Sequence, residues 1–475
     1  MTRHRFIPRL FAGLLAAALL AGCGEQLPDL VQLPANKPAA LHIKGVSVLD
    51  VESGRLTANR DVIVIGDTIA AIAPAGAAEV PPGAQEIDGS GATLLPGLID
   101  MHSHLGNASA PRWAGELPDP PRNMQAYLYC GVTTVFDAGG LAPRIFRLRD
   151  DAVAGKLLGP RIYAAGPIFT AKGGHPAAVL QVFAPWWIRW YLIPRYTRQL
   201  ETPEQARLAV REVAGMGADA IKLAVDRIPE QTPRLQREII DAVVNEARAL
   251  KLRSVAHIGT VQDAIDAADA GVALWVHGVY KERIPDEQIA RLAAYRIPMV
   301  PTIGVFEGYA LLGRGPRVPS KLERETQRAE VLAAFDSVPQ SEDMDYFRAY
   351  LENLHAQRQN WRDNVRRLHA AGVTILAGSD TQSGVFPGAG LHRELLLLQE
   401  SGLTPAEVIR AATLDAARYL AGGEALKFGA VREGLQADLL LVEGNPLQDL
   451  RALENIRQVI KGGVPLQRRA LNAGG

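Results

Sequence analysis

Cysteine is almost absent from this 475-residue chain, which has only Cys23 and Cys130. Two cysteines make one disulfide at most, and none once either is engaged elsewhere; Cys130, within Tyr127-Leu128-Tyr129-Cys130-Gly131, reads as a small core residue. Net charge is missing too. The 51 basic residues balance 51 acidic ones, so no global field draws nucleic acid or a strongly charged partner. The apolar run from Phe11 to Leu20 is too short to cross a bilayer as a permanent helix. What the chain does have is length and an apolar content of 48%, more than one ordinary core needs and enough for a large domain with a smaller companion.

Arg3, Arg5 and Arg9 precede that apolar run, in the manner of a secretory signal. It ends in Leu20-Ala21-Gly22-Cys23, which resembles the lipobox of bacterial lipoproteins. The resemblance implies cleavage after residue 22, acyl chains on Cys23 that anchor the protein durably, and, with Gly24 next rather than aspartate, an outer-membrane position facing the periplasm. Residues 23–40, with Pro28, Pro34 and Pro38 and no periodicity, read as a tether.

Strand-like runs follow: Ala40 to Ile43 with Val46 to Leu49, then Asp61 to Ile65 and Thr68 to Ile72 around a Gly66-Asp67 turn. Similar runs return near the end, at Ala437 to Val442 and Ile456 to Lys461. Both ends therefore predict one small β domain, 41–94 with 424–470, a β-sandwich in which His42 is a strand surface residue. Between them, 95–423 alternates strand and helix in the pattern of an α/β fold, a (β/α)8 TIM barrel. Its eight strands are predicted at Leu94 to Met101, Thr133 to Asp137, Arg161 to Ala165, Ala220 to Leu223, Arg253 to His257, Ala273 to His277, Met299 to Ile303 and Thr374 to Ala377. Helical periodicity separates them, as at Pro203 to Met216, Arg237 to Leu250 and Val261 to Ala270. Two further helices, Lys321 to Phe335 and Asp343 to His369, form a cover beside the barrel and take His355 and His369 as surface or packing residues.

Chemistry-bearing side chains collect at the strand ends, where such barrels place their catalytic groups. His102 and His104 are one residue apart, so on an extended strand both imidazoles face one spot. Lys222 sits inside Ala220-Ile221-Lys222-Leu223-Ala224, where a bare ammonium is costly. An ion pair would compensate it; so would carboxylation of the amine by carbon dioxide. His257 and His277 end apolar runs, and either alone would read as a satisfied core histidine. Asp380 closes the last strand in Gly378-Ser379-Asp380-Thr381.

This ordered set, with Leu95-Pro96-Gly97-Leu98-Ile99-Asp100, Gly131-Val132-Thr133-Thr134 and the Gly429 to Leu439 return, resembles the amidohydrolase superfamily with a binuclear metal centre. The resemblance implies that His102, His104 and Asp380 hold one divalent ion, that His257 and His277 hold the other, and that carboxylated Lys222 bridges them. Imidazole and carboxylate donors suit zinc without excluding manganese or cobalt. A hydroxide between the metals would attack a polarised carbonyl, with Asp380 passing its proton to the leaving nitrogen. Within the superfamily the chain is most similar to the imidazolonepropionase-like group that includes Xaa-Pro dipeptidases, through Gly217 to Lys222, Lys172-Gly173-Gly174-His175 and His277-Gly278-Val279-Tyr280. That similarity implies that His175 and Tyr280 face a small-molecule substrate. Lys172 stands where the group has threonine.

The implied reaction is hydrolysis of an amide or peptide bond. A cyclic amide, lactone or phosphotriester would use the same metals, and a non-catalytic lipid-anchored binding protein is the alternative of another class. A homo-oligomer is compatible with either. His392, after the last strand, reads as packing more than substrate contact. The loop Phe183 to Arg198 holds three of the six tryptophans, and three readings of it stand: a packed insertion, a substrate contact, or a membrane-facing segment.

Overall fold

Alternation along one short strand sets the direction of the whole interior. In Ala220–Ala224, Ile221 and Leu223 join a large outer cluster of buried side chains while Ala220 joins a smaller inner one, so Lys222 points with Ala220 toward the barrel axis. The computed structural model describes residues 27–471; the expected signal 1–22 and Cys23 lie outside them.

The barrel strands are Leu98–Ser103, Val132–Asp137, Arg161–Ala164, Ala220–Ala224, Arg253–His257, Leu274–Val276 and Met299–Val300, with parallel pairing between neighbours except where the third meets the fourth. Ile375 holds the eighth position by a parallel bridge to Met299. Closure follows from Met101 N–H donating to Ala377 O at 2.9 Å. Inside, Ile99, Phe136, Val255, Leu274, Val276, Val300 and Leu376 fill the axis, and Ala416, Ala417 and Leu420 of helix Leu414–Ala421 stop its lower end with Phe428. The molecule is a TIM barrel with a β-sandwich domain.

Four elements differ from the sequence expectation, each for a local reason. The run Leu94 to Met101 breaks at Gly97, because Ala92–Pro96 pairs with Leu439–Glu443 of the small sheet before the chain enters the barrel. The third strand bends at Gly166, with φ 75°, and resumes as Ile168–Ala171, where Ile168 pairs with Lys222. The seventh strand ends at Val300 rather than Ile303, since Thr302, with φ 49°, turns the chain into helix Ile303–Leu311. The predicted helix from Lys321 divides into Lys321–Thr326 and Ala329–Ala333, ahead of the long helix Glu342–Ala370.

Strands from both ends build the small eight-stranded sheet, and Ile65 pairs with Thr68 across the Gly66-Asp67 hairpin. Arg161 joins the two domains by pairing with Asp438 at 3.2 Å and lying over the Phe428 ring. The segment read as a tether is docked over part of its length: Leu30 and Val31 are buried, and Val31–Gln32 pairs antiparallel with Gln467–Arg468. Among the described residues no helix is long and apolar enough to cross a membrane.

A Cβ at Gly97 would lie 2.2 Å from Thr133 Oγ1. Gly97→Ala is therefore expected to destabilise by about 1–3 kcal/mol, as overpacking does. Gly215→Ala, with nothing within 4 Å of the new methyl, is expected to be neutral or mildly stabilising. Thermal unfolding midpoints of the two variants check the contrast.

Candidate metal centre

Four strand ends converge on one buried cluster at the barrel mouth. The His102 and His277 ring centroids are 4.7 Å apart, His257 and His277 4.0 Å, and His102 and His104 5.3 Å. Asp380 faces them, with Oδ1 at 3.1 Å from His104 Nε2 and 3.6 Å from His102 Nε2, and Oδ2 at 4.0 Å from His277 Nδ1. Ligand atoms of His102, His277 and Asp380 all fall within 4.8 Å of one another. Lys222 enters the same group from below, 2% exposed and without an ion pair among the described residues, although the Asp380 charge acts on it.

The backbone is bent to aim these side chains. His277 and Asp380 take positive φ, 64° and 57°, a left-handed conformation in which His and Asp are over-represented among non-glycine residues and which tends to collect at functional sites. Supporting bonds hold the result. His104 Nδ1 is 2.8 Å from Gly139 O, which leaves Nε2 toward Asp380. His277 Nδ1 is 2.6 Å from Thr302 Oγ1. Asp100 fastens strand one to strand eight by accepting from the Ser379 N–H at 2.9 Å and from the Ser379 hydroxyl.

Electrostatics suit cation ligands. Burial holds His102, His175 and His277 well below the ordinary imidazole range, with neighbouring positive charges adding to it, so these rings are neutral with lone pairs to offer. Burial also pushes Lys222 down to about 7. For His104, burial is opposed by the Asp380 hydrogen bond and charge, and the imidazole rises. Buried Nδ1 of His102 and of His175 have no hydrogen-bond partner among the described residues. An orphaned buried nitrogen costs about 1–3 kcal/mol; the His102 nitrogen that would meet a divalent cation held beside Asp380 is Nε2, 3.6 Å from its Oδ1. The donor set fits such an ion.

His175 lies beside this group, its ring 5.0 Å from His257. Tyr280 lies further back. Its ring stacks on Phe306 at 3.8 Å and its hydroxyl donates to Asp226 rather than opening toward the cavity. The sequence reading overlooked Asp226, which follows the fourth strand by two residues. This carboxylate also meets His257 Nε2 at 3.3 Å and Lys281 Nζ at 2.8 Å. Burial opposes its charge, but Lys281 and His257 prevail and hold it well below the usual carboxylate range. An acid at the mouth end of an apolar strand was its only sequence signal. Tyr196 was missed as well; its hydroxyl is 3.4 Å from His104 Nδ1. His392 is buried, with Nε2 2.8 Å from Cys130 O, and His42 pairs with Asp61 at 3.3 Å; neither is at the site.

A parallel barrel with histidine, aspartate and lysine gathered at its C-terminal strand ends defines the class: a hydrolase that works through bound metal. Residues 93–466 match the amidohydrolase family, and the chain belongs to it. It is 27% identical over 404 residues to ochratoxinase of Aspergillus niger, across 78% of this chain and 75% of that protein. Among solved structures it resembles a putative prolidase from Bifidobacterium longum, at 27% identity and TM-score 0.70, covering 92% of this chain and 96% of the other. A prolidase complexed with N-methylphosphonate-L-proline gives 25% identity and TM-score 0.71, over 90% of this chain and 100% of that one. The protein is an amide hydrolase.

Removing one charge of a buried pair weakens it, though Lys281 also pairs with Glu230 at 2.5 Å. Asp226→Asn is therefore expected to cost about 1–3 kcal/mol, and adding Lys281→Met to recover part of it. Unfolding midpoints of the single and double variants check this double-mutant comparison.

Proposed function

We propose that this protein is a dipeptidase or closely related small-amide hydrolase, acting on dipeptides with C-terminal proline. The observation that carries this reading is Lys222: a buried amine without an ion pair among the described residues, pointing toward the barrel axis beside a cluster of imidazoles and one carboxylate. A neutral amine is the form that carbon dioxide carboxylates, and the resulting carbamate would join His102, His104 and Asp380 on one side to His257 and His277 on the other. Two divalent cations, zinc by this donor set, would supply an activated water and polarise the scissile carbonyl. Asp380 takes the proton of the attacking water and returns it to the leaving nitrogen. His175, whose ring is 5.0 Å from that of His257, would contact the carbonyl end of the substrate. The wall formed by Tyr280, Asp226 and Lys281 positions His257 from behind.

The likeness to prolidases supports the choice of proline dipeptides, and ochratoxin belongs in the same assay because of the ochratoxinase relative. We propose further that Cys23 is lipidated and holds the enzyme at the periplasmic face of the outer membrane.

Three outcomes test this reading. Metal-reconstituted protein is expected to release free proline from Xaa-Pro dipeptides in a library that also contains N-acyl amino acids, lactones, cyclic amides and ochratoxin. Turnover confined to lactones would overturn the amide assignment. Asp380→Asn is expected to keep much of its metal, measured by elemental analysis, while turnover falls by about a hundredfold or more. Lys222→Ala is expected to lose metal and regain it with a short carboxylic acid; unchanged metal content would remove the bridging role.

A further inference from the structure

The insertion between the third and fourth strands carries the most exposed aromatic surface described in the molecule. Trp186 is 79% exposed, Trp187 60% and Trp190 73%, whereas Trp275 and Trp361 are buried. Contiguous exposed apolar surface of this kind marks an interaction site. From 183 to 196 there is no acidic residue. Arg189 and Arg195, with Arg144 on the adjoining helix, have no carboxylate partner among the described residues: Arg189 donates to Ala184 O at 2.8 Å, and Arg195 lies over the Tyr191 ring at 4.0 Å. Indoles interleaved with unpaired guanidinium groups are the composition of a bilayer interface, where rings settle at the level of the headgroups and arginines reach their phosphates.

The position of the first described residues points the same way. Helix Pro120–Tyr129 follows the first barrel strand, so its beginning lies at the catalytic mouth. Leu30 N–H donates to Gln125 at 2.9 Å, and Pro28 O accepts from Arg122, nearer that beginning. Followed backward, the chain therefore leaves on the mouth side. Cys23 is four residues before Leu27, a covalent reach of about 14 Å at most. The tryptophans share that rim: Arg195 O, on helix Arg189–Tyr196 that carries Trp190, accepts from Ala142 N–H just beyond the second strand, at 3.0 Å.

We propose that Trp186, Trp187 and Trp190 insert into the headgroup region of an anionic phospholipid bilayer and turn the active-site mouth toward it. The test uses the full chain reconstituted into phosphatidylethanolamine–phosphatidylglycerol vesicles, with and without lipid brominated near the headgroup. Brominated lipid is expected to lower wild-type tryptophan emission by up to the half that three of the six indoles contribute. The W186A/W187A/W190A variant is expected to lose this quenching. Equal wild-type emission in both vesicle types would overturn the proposal. Added acrylamide then says where the indoles are: quenching places them in water, and protection places them under protein, a second copy included. The wild-type arm stands even if the variant does not fold.

Discussion

An ammonium withdrawn from water loses several kcal/mol of hydration unless something replaces it. Lys222 is placed where only the barrel can supply that replacement, because alternation along Ala220–Ala224 fixes its direction and the neighbouring strands fix its company. That company is imidazole and one carboxylate, and the carboxylate is not within ion-pair reach. The interior tolerates the lysine because burial drives it toward the neutral amine. His102 and His277 are held neutral by the same desolvation, so they present lone pairs rather than cations. Cation binding and barrel packing are in this sense one electrostatic problem.

Packing then determines precision. Asp100, accepting from Ser379 and from the His102 N–H, locks the first strand to the eighth where regular pairing is sparse. The His104 N–H donates to Thr381 Oγ1 at 2.8 Å, which repeats the tie one step higher. These bonds compensate for an eighth strand that contributes a bridge rather than a ladder. They also place Asp380, whose N–H donates to His102 O at 2.6 Å.

The convergent side chains were legible in the sequence because each stands within or just beyond an apolar run at a predicted strand end. His102, His104, Lys222, His257, His277 and Asp380 all fall at the mouth for that reason. What supports them was not legible. Asp226, Lys281 and Tyr196 act across tens of residues, and no local period reports a contact of that span. The bend at Gly166 and the turn at Thr302 were hidden for another reason: the runs continue as apolar sequence while the backbone changes hand. Gly97 was misread in a similar way, since Leu94 and Leu95 are as hydrophobic as a barrel strand but pair in the other sheet.

Helix Arg189–Tyr196 carries an exposed indole near its start and, at its last residue, a phenol against His104. Eight residues make a rod of about 12 Å, so a tilt of ~5° at one end displaces the other by ~1 Å. Whatever grips the outer surface of the insertion is therefore felt at a ring nitrogen whose partner keeps the opposite nitrogen in line. The helix thus joins the outer surface of the insertion to the His104 imidazole at the barrel mouth.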